Sequence, residues 1–257
     1  MHKTGSLHIR ALLSYLFDGE IIGQHLPATE DQINSGRYLV SSIRNPWDWY
    51  LSLWTYGVEG KGAVRKRLTN KELHQTLQST TEDATSDIPE SLWLDVYDRN
   101  DNVESFRKWL ELIHNPVHSR LVSGRYGKTA LPDLCGLMTF RYLYLCCQNF
   151  KELNKLILKG IKKSRFAFKY DDLVQFENKN CYIGFFIRQE SLEDDLCEIA
   201  SKVRSLTQAE KDHIYSAPRR NKSERSLSIA DYYDEKSIEL IFRRERLLVE
   251  KFGYSPP

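Results

Sequence analysis

H-K-T-G-S at residues 2–6 and R-Y-L-V-S-S-I-R-N-P-W-D-W-Y-L-S at residues 37–52 decide the fold. In the first, Gly5 permits a tight turn and Thr4 and Ser6 offer hydroxyls. Leu7, Ala11, Leu12, Tyr15 and Leu16 then recur with helical spacing. The unpaired N–H groups of that helix's first turn, with Lys3 beside them, form an anion site; alone, the same residues equally describe an ordinary capped helix. The spacing G-x-x-x-x-G-K-[ST] is absent and the lysine precedes the glycine, which argues against a nucleotide kinase using ATP and magnesium.

The second stretch is β-branched and aromatic up to Arg44, after which Asn45 and Pro46 stop the strand and preset a helix. Arg44 thus falls at the carboxyl end of a strand and Ser52 on the helix that follows. In open α/β sheets that edge binds ligands. Arginine's planar fork suits phosphate, and a serine hydroxyl adds one donor. Read singly, Arg44 is a surface arginine and Ser52 an unrelated serine; the two stretches together imply a ligand with phosphate at both ends.

At this point the residues carry a resemblance. H-K-T-G-S-L-H-I-R-A-L-L resembles the 5′-phosphosulfate loop of sulfotransferases that use 3′-phosphoadenosine-5′-phosphosulfate (PAPS), and I-R-N-P-W-D-W-Y-L-S-L-W resembles their 3′-phosphate motif. F-A-F-K-Y-D-D-L at 166–173 is similar to the family's strand ending in an acidic pair, and F-F-I-R-Q-E-S-L-E-D-D-L at 185–196 to its strand-to-helix segment. R-R-N-K-S-E-R, then D-Y-Y-D-E-K-S-I-E-L-I and K-F-G-Y, resemble the closing loop and helix of bacterial and Golgi-type members. These matches run in family order from residue 2 to residue 254.

The resemblance implies an α/β, P-loop-like sulfotransferase fold with a mostly parallel central sheet flanked by helices on both faces. It implies PAPS as donor and adenosine 3′,5′-bisphosphate as product, with no metal. Lys3 would neutralise charge on the bridging and transferring oxygens, Thr4, Gly5 and Ser6 would hold the 5′-phosphosulfate, and Arg44 and Ser52 the 3′-phosphate. Arg219, Arg220, Lys222 and Ser223 would close over the phosphate or the adenine; their alternative is a solvated charge run. His25, in E-I-I-G-Q-H-L-P-A, stands where Golgi-type carbohydrate sulfotransferases carry a strand-end histidine. An imidazole with an ordinary pKa of about 6.5 can take the acceptor's proton; Glu20 and Glu30 are the next candidates. Arg141, in L-M-T-F-R-Y-L, resembles a residue near the acceptor cleft of bacterial members, or it snorkels from a helix. The acceptor expected by analogy is a hydroxyl on a carbohydrate or small molecule.

Two departures qualify the resemblance. Relatives run a β-strand directly into the phosphate loop, and here that strand is missing before Met1. Leu7 also stands where they commonly have a second hydroxyl residue. Both motivate an alternative: a catalytically idle, truncated homologue that still binds PAPS or its bisphosphate product.

Composition is permissive. Lys plus Arg number 37 against 35 Asp plus Glu, a net +2 that gives no argument for nucleic acid, although basic residues group at 61–67, 159–165 and 219–225. No stretch approaches the about 20 apolar residues of a membrane span, and no signal peptide precedes the first motif; together these suggest a cytoplasmic protein. Five cysteines without C-x-x-C fit reduced thiols better than a disulfide framework. His114 and His118 have i, i+4 spacing, but Pro116 between them argues against a metal site on one helix face.

With no long Pro/Gly/Ser linker, residues 1–257 read as one domain. The expected order is loop and helix over 2–18, strands over 20–26 and 37–44, and a helix over 46–56. A polar, irregular stretch at 58–102 follows, either an acceptor-side insertion or a mobile surface loop. Helices are expected over 103–114 and 136–161, strands over 164–170 and 182–188, and helices over 191–203, 207–216 and 232–251. Arg188 and Glu190, at a strand end, are expected to pair with neighbours and fix the following helix. Alternating strand and helix gives a parallel sheet covered on both faces.

Overall fold

Lys3 and Gly5 both take left-handed backbone, with φ of 60° and 73°, and the chain turns through them into helix α1, Ser6–Phe17. The structure, a computed structural model, describes residues 3–19, 25–70, 90–116, 118–162, 168–218, 225 and 227–257. They are mostly helical, with one small parallel sheet of two strands. The chain divides into two compact units: Met1–Asn45, Arg141–Phe150 and Glu177–Lys222 form the first, and the remaining segments form the second.

The first unit is built on strands β1, Val40–Ile43, and β2, Phe185–Arg188, paired parallel with Ser42 opposite Ile187 and Ile43 opposite Arg188. Parallel partners need a long crossover; here the segments Pro46–Phe140 and Lys151–Phe176 of the second unit separate them in sequence. Ile9, Leu12 and Leu16 line one face of α1, and Leu192, Leu196 and Ile199 one face of the helix Leu192–Val203. With Ile187 and Ile214 they make a continuous core. Asp195 fixes the turn between β2 and that helix by accepting the Arg188 N–H at 2.6 Å and the Ser191 hydroxyl at 3.1 Å.

In the second unit the helix Pro46–Val58 buries Trp47, Trp49, Tyr50, Leu51, Leu53 and Trp54, hence apolar residues on all sides. Its aromatic neighbours include Phe106 of the helix Val103–His114, whose ring centroid lies 5.3 Å from that of Trp54. Two of the buried indole N–H groups find acceptors: Trp54 on the Val96 carbonyl at 2.7 Å and Trp109 on the Tyr97 hydroxyl at 2.7 Å. Glu245, fully buried, accepts from the Tyr50 hydroxyl, from the Met138 and Thr139 N–H groups at 3.2 and 2.7 Å, and from the Thr139 hydroxyl at 2.6 Å. It thereby caps the start of the helix Leu137–Cys146. Gly136 is required beside it, since a Cβ there would stand 1.9 Å from the Glu245 Oε1.

Several boundaries differ from the sequence expectation. The helix expected over 136–161 is two, Leu137–Cys146 and Phe150–Lys162. The break comes where Cys147 pairs with Cys181 in an antiparallel bridge and Asn149 takes left-handed backbone, its amide donating to the Asn180 Oδ1 at 2.9 Å. The stretch expected as one helix over 232–251 is instead Ile229–Tyr232, Glu235–Arg244 and Arg246–Phe252, because Ser228 with Asp231 and Asp234 with Ser237 form two successive capping boxes. Asp171 and Asp172 open the helix Tyr170–Asn180, with Asp172 accepting the Lys169 N–H at 2.8 Å; residues 164–167 of the strand expected there lie outside the described residues. The segment 58–102 holds the short helices Ala63–Leu68 and Glu90–Asp95 among its described residues.

Candidate anion-binding site

The loop before α1 has the local geometry that binds anions. Two left-handed residues flank Thr4, no side chain caps α1, and its first turn carries no acidic residue, so its N–H groups and helix dipole are available to a negative charge. A Cβ on Gly5 would lie 2.2 Å from the Gln189 Oε1 and 2.7 Å from the Leu192 Cδ1, so only glycine allows this approach. That Oε1 is buried with no hydrogen-bond partner among the described residues, a polar atom set against the loop.

The ends of β1 and β2 hold this loop. Thr4, fully buried, shares a 2.6 Å hydrogen bond with the Ser42 hydroxyl. Arg44 donates from Nη1 to the Lys3 carbonyl at 3.0 Å. Glu190 accepts the Asn45 N–H at 2.6 Å, which gives it the structural, pairing role expected from sequence. The Gln189 N–H donates to the Ile43 carbonyl at 2.8 Å and so continues the ladder to the loop. Lys3, Thr4, Gly5, Ser6 and Arg44 are therefore brought together at the carboxyl ends of both strands. Alongside them a pocket of about 440 Å³ opens between α1 and β1, with Ser6, Arg10, Ser14, Ser41 and Ser42 as its polar lining.

His25 belongs to the same unit and lies in a bend with φ of 55°; residues 20–24 of the strand expected before it, Glu20 included, fall outside the described residues. Pro27 and the Ala28 N–H, which donates to the Tyr182 hydroxyl at 3.0 Å, fix the chain immediately after it. Burial, reinforced by the charges of Arg141 and Arg10, pushes the His25 imidazole down to about 4. The imidazole is thus neutral at neutral pH, and Arg141 is near enough to act on it. Glu30 sits exposed in the first turn of the short helix Glu30–Asn34.

Ser52 lies in the second unit, buried within the helix Pro46–Val58. Arg219, Arg220, Lys222 and Ser223 lie outside the described residues; the next described residue, Arg225, donates to the Asp48 carboxylate at 2.6 Å in the first turn of that helix. His114 packs edge-on against Tyr50, with ring centroids 4.8 Å apart, and burial holds its imidazole well below the ordinary range. Sequence reading did not single out Gln189; its signal, an amide directly after a strand and before an acidic residue, is unspecific.

No family model, no curated protein and no solved structure matches this chain. No helix among the described residues is long and apolar enough to cross a membrane.

Proposed function

We propose that the chain is a PAPS-dependent sulfotransferase with a P-loop-like fold, transferring a sulfuryl group to a hydroxyl of a carbohydrate or small molecule. One observation carries the reading: the Lys3–Gly5 turn opens uncapped onto α1 while Thr4 and Arg44 tie it to the end of β1. The fit to a doubly phosphorylated nucleotide rests on the left-handed Gly5 cradle and the start of α1, which no side chain caps and no acidic residue of its first turn opposes. Lys3, Thr4, Gly5 and Ser6 would hold the 5′-phosphosulfate and Arg44 the 3′-phosphate.

When bound, the donor supplies an activated sulfuryl group on a phosphate leaving group. The chain's own work is positioning and electrostatics. Backbone N–H groups at the start of α1 and the Lys3 ammonium balance negative charge that grows on the leaving phosphate. His25, neutral at working pH, accepts the acceptor's proton, and the phosphates brought beside it raise its affinity for that proton. Arg141, whose charge reaches His25, would line the acceptor side.

A second reading, an idle nucleotide-binding homologue, is favoured by Leu7: an apolar side chain, 42 % exposed, occupies the first turn of α1 where relatives carry a hydroxyl. Incubation with radiolabelled donor and a panel of glycans and small hydroxyl compounds separates the two. Label transfer to any acceptor supports the enzyme; bisphosphate binding without transfer supports the idle protein, and absence of both refutes the reading.

A further inference from the structure

We propose that Cys147 and Cys181 are a redox pair that a hydroperoxide converts to an intramolecular disulfide. The backbone brings them together. The Gln148 N–H donates to the Asn180 carbonyl at 2.9 Å and the Tyr182 N–H to the Cys146 carbonyl at 3.1 Å, so Cys147 and Cys181 face each other as a non-hydrogen-bonded antiparallel pair. Such pairs hold their Cα atoms about 4.5 Å apart with side chains on the same face. That lies within the about 4.4–6.8 Å that a disulfide spans. Both residues are free thiols and belong to the same unit.

The surroundings distinguish the two sulfurs. Cys147 is 3 % exposed, whereas Cys181 is half-buried and reachable from solvent. The Cys147 thiol and the Ile183 N–H donate to the Cys181 sulfur, and the Tyr142 hydroxyl lies 3.5 Å from it. These donors pull the Cys181 thiol down, while the same hydrogen bond, with burial, pushes Cys147 up. Cys181 is therefore the attacking thiolate and Cys147 the resolving thiol.

The steps balance. The Cys181 thiolate attacks one peroxide oxygen, the O–O bond breaks, and the departing hydroxide takes up the proton that Cys181 released, leaving as water. Cys147 sulfur then attacks the sulfenic sulfur and breaks its S–O bond; the departing hydroxide carries off the Cys147 proton as a second water. Two thiols lose two electrons and hydrogen peroxide gains them. The product ties the end of the helix carrying Arg141 to the segment leading into β2. Tyr182, next to Cys181, holds the segment after His25 through the Ala28 N–H, so oxidation acts beside the proposed base.

The same two sulfurs, with the Glu177 carboxylate, lie within 4.8 Å of one another and have the chemistry to take zinc. The Tyr142 hydroxyl already donates to Glu177 at 2.5 Å, which engages that carboxylate and favours the thiol–disulfide reading.

The test uses the full reduced chain, treated with equimolar hydrogen peroxide, capped with N-ethylmaleimide and mapped by mass spectrometry after trypsin. The expected product links the peptide over 142–151 to that over 180–188 and is reversed by dithiothreitol. Cys147→Ser abolishes the link and Cys146→Ser retains it. A fully alkylated Cys181 after peroxide, a link that persists in Cys147→Ser, or one zinc per chain that resists peroxide would each overturn the proposal. Should Cys147→Ser fail to fold by circular dichroism, the map of the parent chain with Cys146→Ser decides alone.

Discussion

Arg44 donates to the carbonyl of Lys3, forty-one residues earlier, at 3.0 Å. The residue that sequence assigns to one end of the ligand thus holds in place the backbone assigned to the other. Change at Arg44 therefore acts twice, by removing a phosphate partner and by loosening the loop.

Gly5→Ala is expected to weaken adenosine 3′,5′-bisphosphate binding at least several-fold. Left-handed backbone costs an alanine about 1–2 kcal/mol, and the new Cβ would displace Gln189. Isothermal titration against the parent checks this, with circular dichroism confirming that the fold survives. Unchanged affinity would remove the Gly5 turn from the site.

Lys3→Ala should lower turnover more than it lowers bisphosphate affinity, because its partner charge grows only as the sulfuryl group leaves. The comparison is kcat from labelled-donor transfer against Kd from calorimetry. Equal losses in both would make Lys3 a simple binding residue.

The pH profile follows from the depressed imidazole of His25. Protonation disables a base, so kcat/KM should fall with acid through a limb near 4, not near the ordinary 6.5, and the kcat limb should lie higher because bound phosphates favour the imidazolium. Stability follows the same sign: the unfolded histidine binds its proton first, so His25's contribution is fully present above about 6.5 and is lost as pH falls toward 4. His25→Ala should cost turnover about 10²–10⁴-fold with bisphosphate binding intact. A limb unchanged in the variant would transfer the role to a carboxylate, Glu30 being the described one.

The parts of this fold that sequence made legible are those fixed by local chemistry. The Gly5 turn, β1 ending before Pro46, and the helices Val103–His114 and Gln208–Ser216 follow from glycine, proline, capping residues and apolar period. What escaped depends on tertiary pairing. The break at Cys147 comes from Cys181, thirty-four residues on. The capping boxes at Ser228 and Asp234 were readable but were outweighed by the apolar stripe through Ile238, Ile241, Phe242 and Leu248. At the site, the ends of β1 and β2 bring Lys3 to Ser6 together with Arg44, whereas residues 20–24 of the strand expected before His25 fall outside the described residues. Its low pKa, set chiefly by burial and then by neighbouring positive charges that include Arg141 and Arg10, has no counterpart in the sequence around it.

Glu245→Ala should destabilise the second unit on the order of 3 kcal/mol, since it strands the Met138 and Thr139 N–H groups and two buried hydroxyls without an acceptor. Glu245→Gln, which keeps one acceptor oxygen, should cost less. Thermal unfolding followed by circular dichroism ranks the three proteins. An alanine variant as stable as the parent would show that this carboxylate does not hold the helix start.

Titration calorimetry with adenosine 3′,5′-bisphosphate tests most directly whether the Lys3–Ser6 loop and Arg44 form a phosphate site. The parent chain is expected to bind one equivalent, and Arg44→Ala to lose about 1.5–3 kcal/mol of that binding, the worth of a charged hydrogen bond, or roughly 10- to 150-fold in Kd. No heat of binding in the folded parent, or equal affinity in parent and Arg44→Ala, would contradict it.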